Sequence, residues 1–106
     1  GPSNERLAVG ELVVDPATMG VTLGGERLVL TSYEFALLRV LAERPGHVLT
    51  RDQLLELVHG TADDAFDRSI DVHISRLRQK LERDRRNPRL LKTIRGVGYM
   101  LAREET

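Results

Sequence analysis

The sequence predicts an α+β fold in a single domain, with an N-terminal antiparallel sheet, a three-helix core and a C-terminal β-hairpin. Short apolar segments separated by turn residues occupy the chain before residue 31. Residues 31–83 contain three segments with the apolar spacing of amphipathic helices, and two short apolar segments surround a glycine-rich turn after residue 90. At 106 residues the chain is long enough for one such domain, which buries roughly 60–70% of its unfolded surface.

The N-terminal sheet is predicted from short strands that alternate with turns. Asp15-Pro16 is a turn signal that ends one apolar segment, and Gly24-Gly25 separates two others. Because glycine adopts the positive φ angles that a two-residue hairpin turn requires, the glycine pair predicts a tight hairpin. We expect three or four strands, in the segments 7–9, 12–14, 21–23 and 27–30.

Capping boxes predict the starts of the first two helices. Thr31 is followed three residues later by Glu34, so the hydroxyl and the carboxylate can each accept a backbone N–H of the other residue. Helix one is expected to run to about residue 44, where Pro45-Gly46 stops it. A second box begins at Thr50, and helix two is expected to end near residue 60.

Helix three is predicted over residues 67–83, with Asp67 as its N-cap. An apolar stripe at helical spacing is expected to face the core, and it consists of Ile70, Ile74, Leu77 and Leu81. The opposite side is polar and basic. It carries Arg68, Ser69, Val72, His73, Ser75, Arg76 and Lys80.

Charge is distributed unevenly, although 16 basic and 16 acidic side chains give a formal net charge of zero. Residues 67–95 contain ten basic and four acidic side chains, a local charge of +6, so the remainder of the chain carries −6. A polyanion responds to charges within a Debye length of about 8–10 Å, so the zero average does not exclude a nucleic-acid partner. A solvated charged helix is the alternative that charge alone leaves open.

Three helices followed by a β-hairpin is the element order of a winged helix-turn-helix. A helix about 10–12 Å in diameter fits the major groove of B-DNA, which is roughly 12 Å wide. Helix three therefore has the properties of a recognition helix, with Lys80 and Arg83 expected to lie against backbone phosphates. Arg95 precedes the glycine-bounded turn of the hairpin, or wing, where an arginine can enter a minor groove.

Four segments of the chain carry family motifs. They read Thr31-x-x-Glu34-Phe35-x-Leu37-Leu38, Pro45-Gly46-x-Val48-Leu49-x-Arg51, Ile70-Asp71-Val72-His73-Ile74-x-x-Leu77-Arg78-x-Lys80-Leu81 and Thr93-Ile94-Arg95-Gly96-Val97-Gly98-Tyr99. With these motifs the chain resembles, over residues 7–101, the C-terminal DNA-binding (effector) domain of OmpR/PhoB-type response regulators. The third segment is similar to the recognition helix of that family and the fourth to its wing. Within the family, residues 66–71 look most similar to regulators of envelope stress.

The resemblance implies a bacterial transcription factor of a two-component regulatory system. In such a protein an N-terminal receiver domain, absent from this chain, is phosphorylated on an aspartate, and a cognate histidine kinase acts on it. The resemblance also implies dimeric binding to direct-repeat half-sites in double-stranded DNA. Contact with RNA polymerase is implied for the loop between helices two and three, which consists of His59, Gly60, Thr61, Ala62, Asp63 and Asp64.

The resemblance also implies which residues face DNA. The matching positions of the recognition helix are Arg68, Ser69, Val72, His73, Arg76 and Arg78. The matching wing and backbone-contact positions are Thr93, Arg95 and Tyr99. Two residues depart from the family pattern, since Ser75 stands where many members carry an arginine and His59 stands where a tryptophan is common.

Three of these residues have alternative interpretations. Arg78 lies beside the apolar stripe and could instead pair internally with Asp71 or Glu82. Val72 suits contact with a thymine methyl group, but an exposed valine is also ordinary on protein surfaces. Tyr99 is expected to be half in the core and half in contact with a phosphate through its hydroxyl group.

Other functional classes fit the sequence less well. A winged-helix protein-interaction module that does not bind DNA is the alternative, and it would need a large exposed apolar patch. An enzyme is not expected, because Asp71 points about 200° away from the helix face that Ser69 and His73 share and cannot orient that imidazole. No metal or cofactor is expected, since His47, His59 and His73 lack ligand spacing and the chain has no cysteine.

Location and boundaries follow from composition. No apolar run approaches the roughly 20 residues that cross a bilayer, and the absence of cysteine removes any need for an oxidising compartment. We therefore expect a soluble cytoplasmic domain that does not contact a membrane. Residues 1–3 (Gly1-Pro2-Ser3) look like the remnant of a cleaved tag, so the domain is expected to span residues 4–106.

Overall fold

The computed structural model describes residues 6–58, 70–82 and 89–102. Within these ranges the elements follow the predicted order, an N-terminal sheet, three helices and a C-terminal hairpin, with one additional two-residue strand before the second helix. The predicted α+β fold with a C-terminal wing is confirmed. Several predictions lie outside the described residues, namely those for the tag remnant 1–3, the loop 59–64, Asp67, Arg68, Ser69 and Arg83.

The N-terminal sheet has four strands, each antiparallel to the next, which settles the expectation of three or four. They are β1 (Leu7–Val9), β2 (Leu12–Asp15), β3 (Gly20–Leu23) and β4 (Glu26–Leu28). The predicted glycine pair forms the turn between β3 and β4, with φ angles of 58° at Gly24 and 86° at Gly25. A side chain rarely adopts either angle, so this turn requires glycine.

Both predicted capping boxes are present. Helix α1 (Ser32–Ala42) begins after Thr31, whose hydroxyl accepts the backbone N–H of Glu34 at 3.1 Å, while the Glu34 carboxylate accepts the N–H of Thr31 at 3.0 Å. Helix α2 (Arg51–Val58) begins in the same way, with distances of 3.1 Å and 2.9 Å between Thr50 and Gln53. These side chains satisfy N–H groups that the first turn of each helix leaves without a partner.

The apolar stripe predicted for the third helix is confirmed. Helix α3 (Ile70–Leu81) is preceded by residues outside the described ranges, and its residues Ile70, Ile74, Leu77 and Leu81 are all buried. They face α1, which lies at the centre of the molecule and contacts both other helices. The position of α3 on α1 therefore determines which of its side chains reach the surface.

A second sheet carries the hairpin. Strands β6 (Leu91–Ile94) and β7 (Gly98–Leu101) pair with each other, and β7 also pairs with the short β5 (Leu49–Thr50) in the order β5-β7-β6. Gly98 allows this pairing, because a Cβ atom there would lie 2.0 Å from the Leu49 carbonyl oxygen. None of the helices in residues 6–58, 70–82 and 89–102 has the length and apolar composition that spanning a bilayer requires.

Candidate nucleic-acid interface

One face of α3 carries a short strip of exposed side chains, most of which are polar. Val72, Ser75, Arg76 and Gln79 are all exposed, and at about 100° per residue they fall within an arc of about 100° on the side opposite the buried stripe. Along the helix axis, Val72 and Gln79 lie about 10 Å apart, roughly the rise of three base pairs. The predicted exposure of Val72, Ser75 and Arg76 is confirmed. The sequence prediction does not include Gln79, although helical spacing places it on the same face.

His73 does not belong to this exposed face, contrary to the sequence prediction. Only 7% of its surface is accessible, and its imidazole stacks on the Tyr33 ring with centroids 4.3 Å apart and an interplanar angle of 27°. His73 lies on the flank of α3 that faces α1, about 100° around the helix from Val72. The polarity of histidine suggested exposure, and only the packing of the two helices could identify Tyr33 as its neighbour.

Lys80 forms an ion pair within the protein that the sequence does not predict. Its ammonium group lies 2.6 Å from the carboxylate of Glu34, which is 1% exposed at the start of α1. Burial acts to raise the pKa of Glu34, but the hydrogen bonds from Lys80 and from the Thr31 backbone outweigh it, so the pKa is lowered. Lys80 thus compensates a buried charge and ties α3 to α1, and its expected contact with a DNA phosphate stays a prediction.

Arg78 is bonded to the hairpin rather than held out toward solvent. Its Nε donates to the Leu91 carbonyl oxygen at 2.9 Å, and its Nη2 donates to the Thr93 hydroxyl. The side chain is half-buried and these two donors are used within the protein, while the prediction that Arg78 faces DNA stays a prediction. The alternative partners considered from sequence, Asp71 and Glu82, are not the groups it bonds.

Tyr99 is placed in the core, and its hydroxyl group has an internal partner. The ring is 5% exposed, and the hydroxyl donates to the Asp71 carboxylate, which also accepts a 2.9 Å hydrogen bond from Arg51 Nε. The prediction that Tyr99 lies partly in the core is confirmed. Its hydroxyl group, for which the sequence predicts a phosphate partner, donates to Asp71 instead. Arg51, which sequence reasoning missed, is the first residue of α2, and no spacing signal linked it to Asp71.

The same contacts shift the pKa values of this cluster. The hydrogen bonds from Arg51 and from Tyr99 lower the pKa of Asp71. Burial, followed by the hydrogen bond to Asp71, raises the pKa of Tyr99. Asp71 is therefore charged and Tyr99 neutral at pH 7, and the two guanidinium groups of Arg51 and Arg78 lie 5.9 Å and 5.7 Å from the centroid of the Tyr99 ring.

The tip of the hairpin is exposed, as predicted for Arg95. The turn 95–97 connects β6 to β7, and Gly96 has a φ of 76°, an angle that favours glycine. Val97 is half-exposed at 50%, and Lys92 and Thr93 on β6 are exposed as well. The tip therefore projects a guanidinium group from a narrow turn.

No metal site is expected from the sequence, and part of the predicted interface lies outside the described residues. Among the residues that the structure describes, there is no cluster of metal-ligating side chains. The loop His59–Asp64 and the side chains Arg68 and Ser69 lie outside the described residues and stay predictions.

Similarity to known proteins points to one family. Residues 25–101 match the family model described as "Transcriptional regulatory protein, C terminal". The DNA-binding response regulator MtrA of Mycolicibacterium smegmatis is 46% identical over 95 residues, which are 90% of this chain and 42% of that protein. The chain thus spans less than half the length of this relative.

Two solved structures have the same fold. The Klebsiella pneumoniae RstA DNA-binding domain, determined in complex with the RstA box, is 41% identical with a TM-score of 0.80, and the match covers 92% of this chain and 97% of that one. The Thermotoga maritima response regulator DrrB, described as an OmpR/PhoB homologue, is 39% identical with a TM-score of 0.77, and the match covers 92% of this chain and 44% of that one.

Proposed function

This chain belongs to the family of C-terminal DNA-binding domains of OmpR/PhoB-type response regulators, and from that premise we propose that its exposed α3 face binds the major groove of double-stranded DNA while the hairpin tip approaches the neighbouring minor groove. The family consists of transcriptional regulators and not of enzymes. The observation that carries the proposal is the exposed strip Val72, Ser75, Arg76 and Gln79, which lies opposite the buried stripe of the same helix.

Each exposed side chain has a defined chemical role in this proposal. Arg76 donates to the edge of a guanine, and Val72, which is 39% exposed, contacts the methyl group of a thymine. Arg95 enters the minor groove, where the negative potential is strongest when the groove is narrow. Arg68, Ser69 and Ser75 complete the predicted recognition helix, and Lys92 and Thr93 lie toward the phosphate backbone.

The role of this chain within a longer protein is inferred from its relatives and not from this chain alone. We propose that the chain is the effector part of a longer cytoplasmic regulator whose receiver domain is phosphorylated under the control of a histidine kinase. Two such domains are expected to occupy direct-repeat half-sites, and the loop 59–64 is expected to contact RNA polymerase. The proposed domain boundary of 4–106 excludes the tag-like residues 1–3.

A protein-interaction module is the competing function, and the surface of α3 argues against it. Such a module needs a contiguous apolar patch on its docking face. Among the described residues of α3, Val72 is the only large apolar side chain that is exposed. A single valine next to Arg76 and Gln79 suits a base edge better than the apolar surface of a partner protein.

Selection of bound duplexes from a random pool tests the proposal directly. We expect enrichment of a short motif that occurs as a direct repeat at a fixed spacing of about one helical turn. The spacing and the half-site length would both be read from the enriched sequences. Recovery of no enriched motif, under conditions in which the domain is folded, would contradict sequence-specific binding.

Replacing Arg76 with alanine is expected to weaken binding to the selected duplex by about 1–3 kcal/mol and to relax the preference at one base pair. The physical reason is the loss of a bidentate contact, because Arg76 is exposed on α3 and has no structural partner among the hydrogen bonds of the described residues. Binding would be measured on the selected duplex and on a scrambled one. An equal loss on both duplexes would assign Arg76 to a phosphate instead.

Replacing Arg95 with alanine is expected to weaken binding while leaving the melting temperature within about 2 °C of the wild type, because an exposed turn residue contributes within about 0.5 kcal/mol to stability. Arg95 is exposed beside Gly96, so its side chain can be removed without opening the core. Binding and thermal unfolding would be measured on the same preparation. A large fall in melting temperature would show that Arg95 is a structural residue.

A further inference from the structure

The edge of the hairpin that faces α3 is held by one side chain of that helix, Arg78, and by Glu82, the residue directly after it. Strand β6 is an edge strand, since the sheet order is β5-β7-β6, and its outer backbone groups need partners from elsewhere. Glu82, directly after α3, accepts three consecutive backbone N–H groups, from Arg89 at 2.8 Å, Leu90 at 3.0 Å and Leu91 at 2.8 Å. The Glu82 carboxylate therefore holds the start of β6 by accepting the backbone N–H groups of that segment.

Arg78, four residues before Glu82, donates to two acceptor groups of the same strand. Arg78 Nε donates to the carbonyl oxygen of Leu91 at 2.9 Å, and its Nη2 donates to the hydroxyl of Thr93. Residues 78 and 82 lie on one edge of the helix, because positions four apart are neighbours on a helical surface. We call Arg78 and Glu82 the hairpin clamp. Together they bind both the N–H and the C=O of Leu91.

We propose that the hairpin clamp is a pair of positioning residues that sets where Arg95 lies relative to the exposed face of α3, and thereby allows the helix and the wing to contact one DNA duplex at the same time. This inference rests on the proposed DNA-binding function. Arg78 acts through the hairpin, and Glu82 has no role at the DNA surface itself.

A small change in the direction of β6 at Leu91 produces a larger displacement at the tip of the hairpin. Leu91 and Arg95 are separated by four residues, which is about 13 Å of extended strand. A tilt of about 10° at the clamp would therefore move the backbone at Arg95 by about 2 Å, and binding groups usually have to be held within about 0.5 Å of their productive position. Loss of the clamp would misplace the wing without removing any DNA-contacting side chain.

The direction in which Glu82→Ala changes the affinity for DNA distinguishes a positioning role from a simple charge effect. Glu82→Ala removes a negative charge, which on electrostatic grounds alone would strengthen binding to a polyanion. We expect the opposite, an affinity for the selected duplex about three- to tenfold lower, as for partial loss of one minor-groove contact. The matched control is Glu26→Ala, which removes an exposed carboxylate from β4 and is expected to bind as tightly as the wild type or slightly more tightly.

A double-mutant cycle with Arg95→Ala tests whether Glu82 influences DNA binding through Arg95. In the wild-type background Arg95→Ala weakens binding, whereas in the Glu82→Ala background we expect a further loss of less than about twofold, because the wing contact is already misplaced. Additive losses would show that Glu82 does not act through Arg95 and would overturn the proposal. Unchanged or tighter binding by Glu82→Ala would overturn it as well, while the DNA binding of the wild type would stand.

A second variant keeps the proposal testable if Glu82→Ala does not fold. Arg78→Lys keeps the charge but cannot reproduce the two bonds that the planar guanidinium makes to Leu91 and Thr93. We expect the same weakening with circular dichroism unchanged. Wild-type affinity in this variant would show that Arg78 serves as an interchangeable phosphate contact, which contradicts the clamp. Failure of the wild-type domain itself to bind any duplex would instead contradict the proposed function.

Discussion

Raising the salt concentration from 50 to 200 mM is expected to lower the affinity of the domain for its selected duplex by about 40- to 500-fold. Each phosphate that a cationic side chain neutralises releases condensed counterions, and contact with about three to five phosphates per protomer gives a log–log slope of about −2.7 to −4.5. The described cations that are exposed around α3 and the hairpin are Arg51, Arg76, Lys80, Arg89, Lys92 and Arg95, of which Arg51 and Lys80 form ion pairs with Asp71 and Glu34. This number of exposed cations is consistent with that slope.

The salt titration would follow binding of a labelled duplex by fluorescence anisotropy at constant pH. A scrambled duplex is the control, and it should show a similar slope at lower affinity because phosphates are present in any sequence. The negative charge of the rest of the chain is not expected to change this result, since its fields are screened beyond about 8–10 Å. A flat titration would rule out contact with a polyanion.

Replacing Leu77 with alanine is expected to lower the free energy of unfolding by about 2–5 kcal/mol. Leu77 is fully buried in the stripe that packs α3 against α1, so truncation removes apolar contacts and leaves a cavity in the core. A domain of this size is stabilised by only about 5–15 kcal/mol. The variant should therefore unfold at a clearly lower urea concentration and bind DNA weakly at physiological temperature.

The measurement is equilibrium unfolding in urea, with the slope m compared between variants to confirm that the unfolding transition is the same. Gln79→Ala is the matched control, because Gln79 is exposed two residues further along the same helix. Its stability should change by no more than about 0.5 kcal/mol. If Leu77→Ala were as stable as this control, the assignment of the buried and exposed faces of α3 would be wrong.

Contacts within the protein involve two of the basic residues that the sequence predicts to face DNA. Lys80 compensates the buried Glu34, and Arg78 bonds the edge of β6. In both cases the cation satisfies a group that would otherwise be buried or left at a strand edge without a partner. Part of the +6 charge of the segment 67–95 is therefore used in contacts within the protein.

Much of the fold could be predicted from local patterns. The capping boxes at Thr31 and Thr50 and the Gly24-Gly25 turn each involve residues within three positions of one another, so sequence spacing alone specifies their geometry. The buried stripe of α3 follows from helical periodicity in the same way. The family motifs extended these patterns to a DNA-binding function, which the similarity to known proteins supports.

Local sequence patterns are sufficient to predict the order of the elements, the buried face of α3 and the exposure of Arg76 and Arg95, because each depends on the period of a helix or the chemistry of a turn. The partners of His73, Lys80 and Arg78 could not be predicted in this way, because these side chains pack or bond with residues between 13 and 46 positions away. Such pairings arise when helices and strands pack together. A side chain on the flank of a helix is exposed or buried according to what the neighbouring element places beside it.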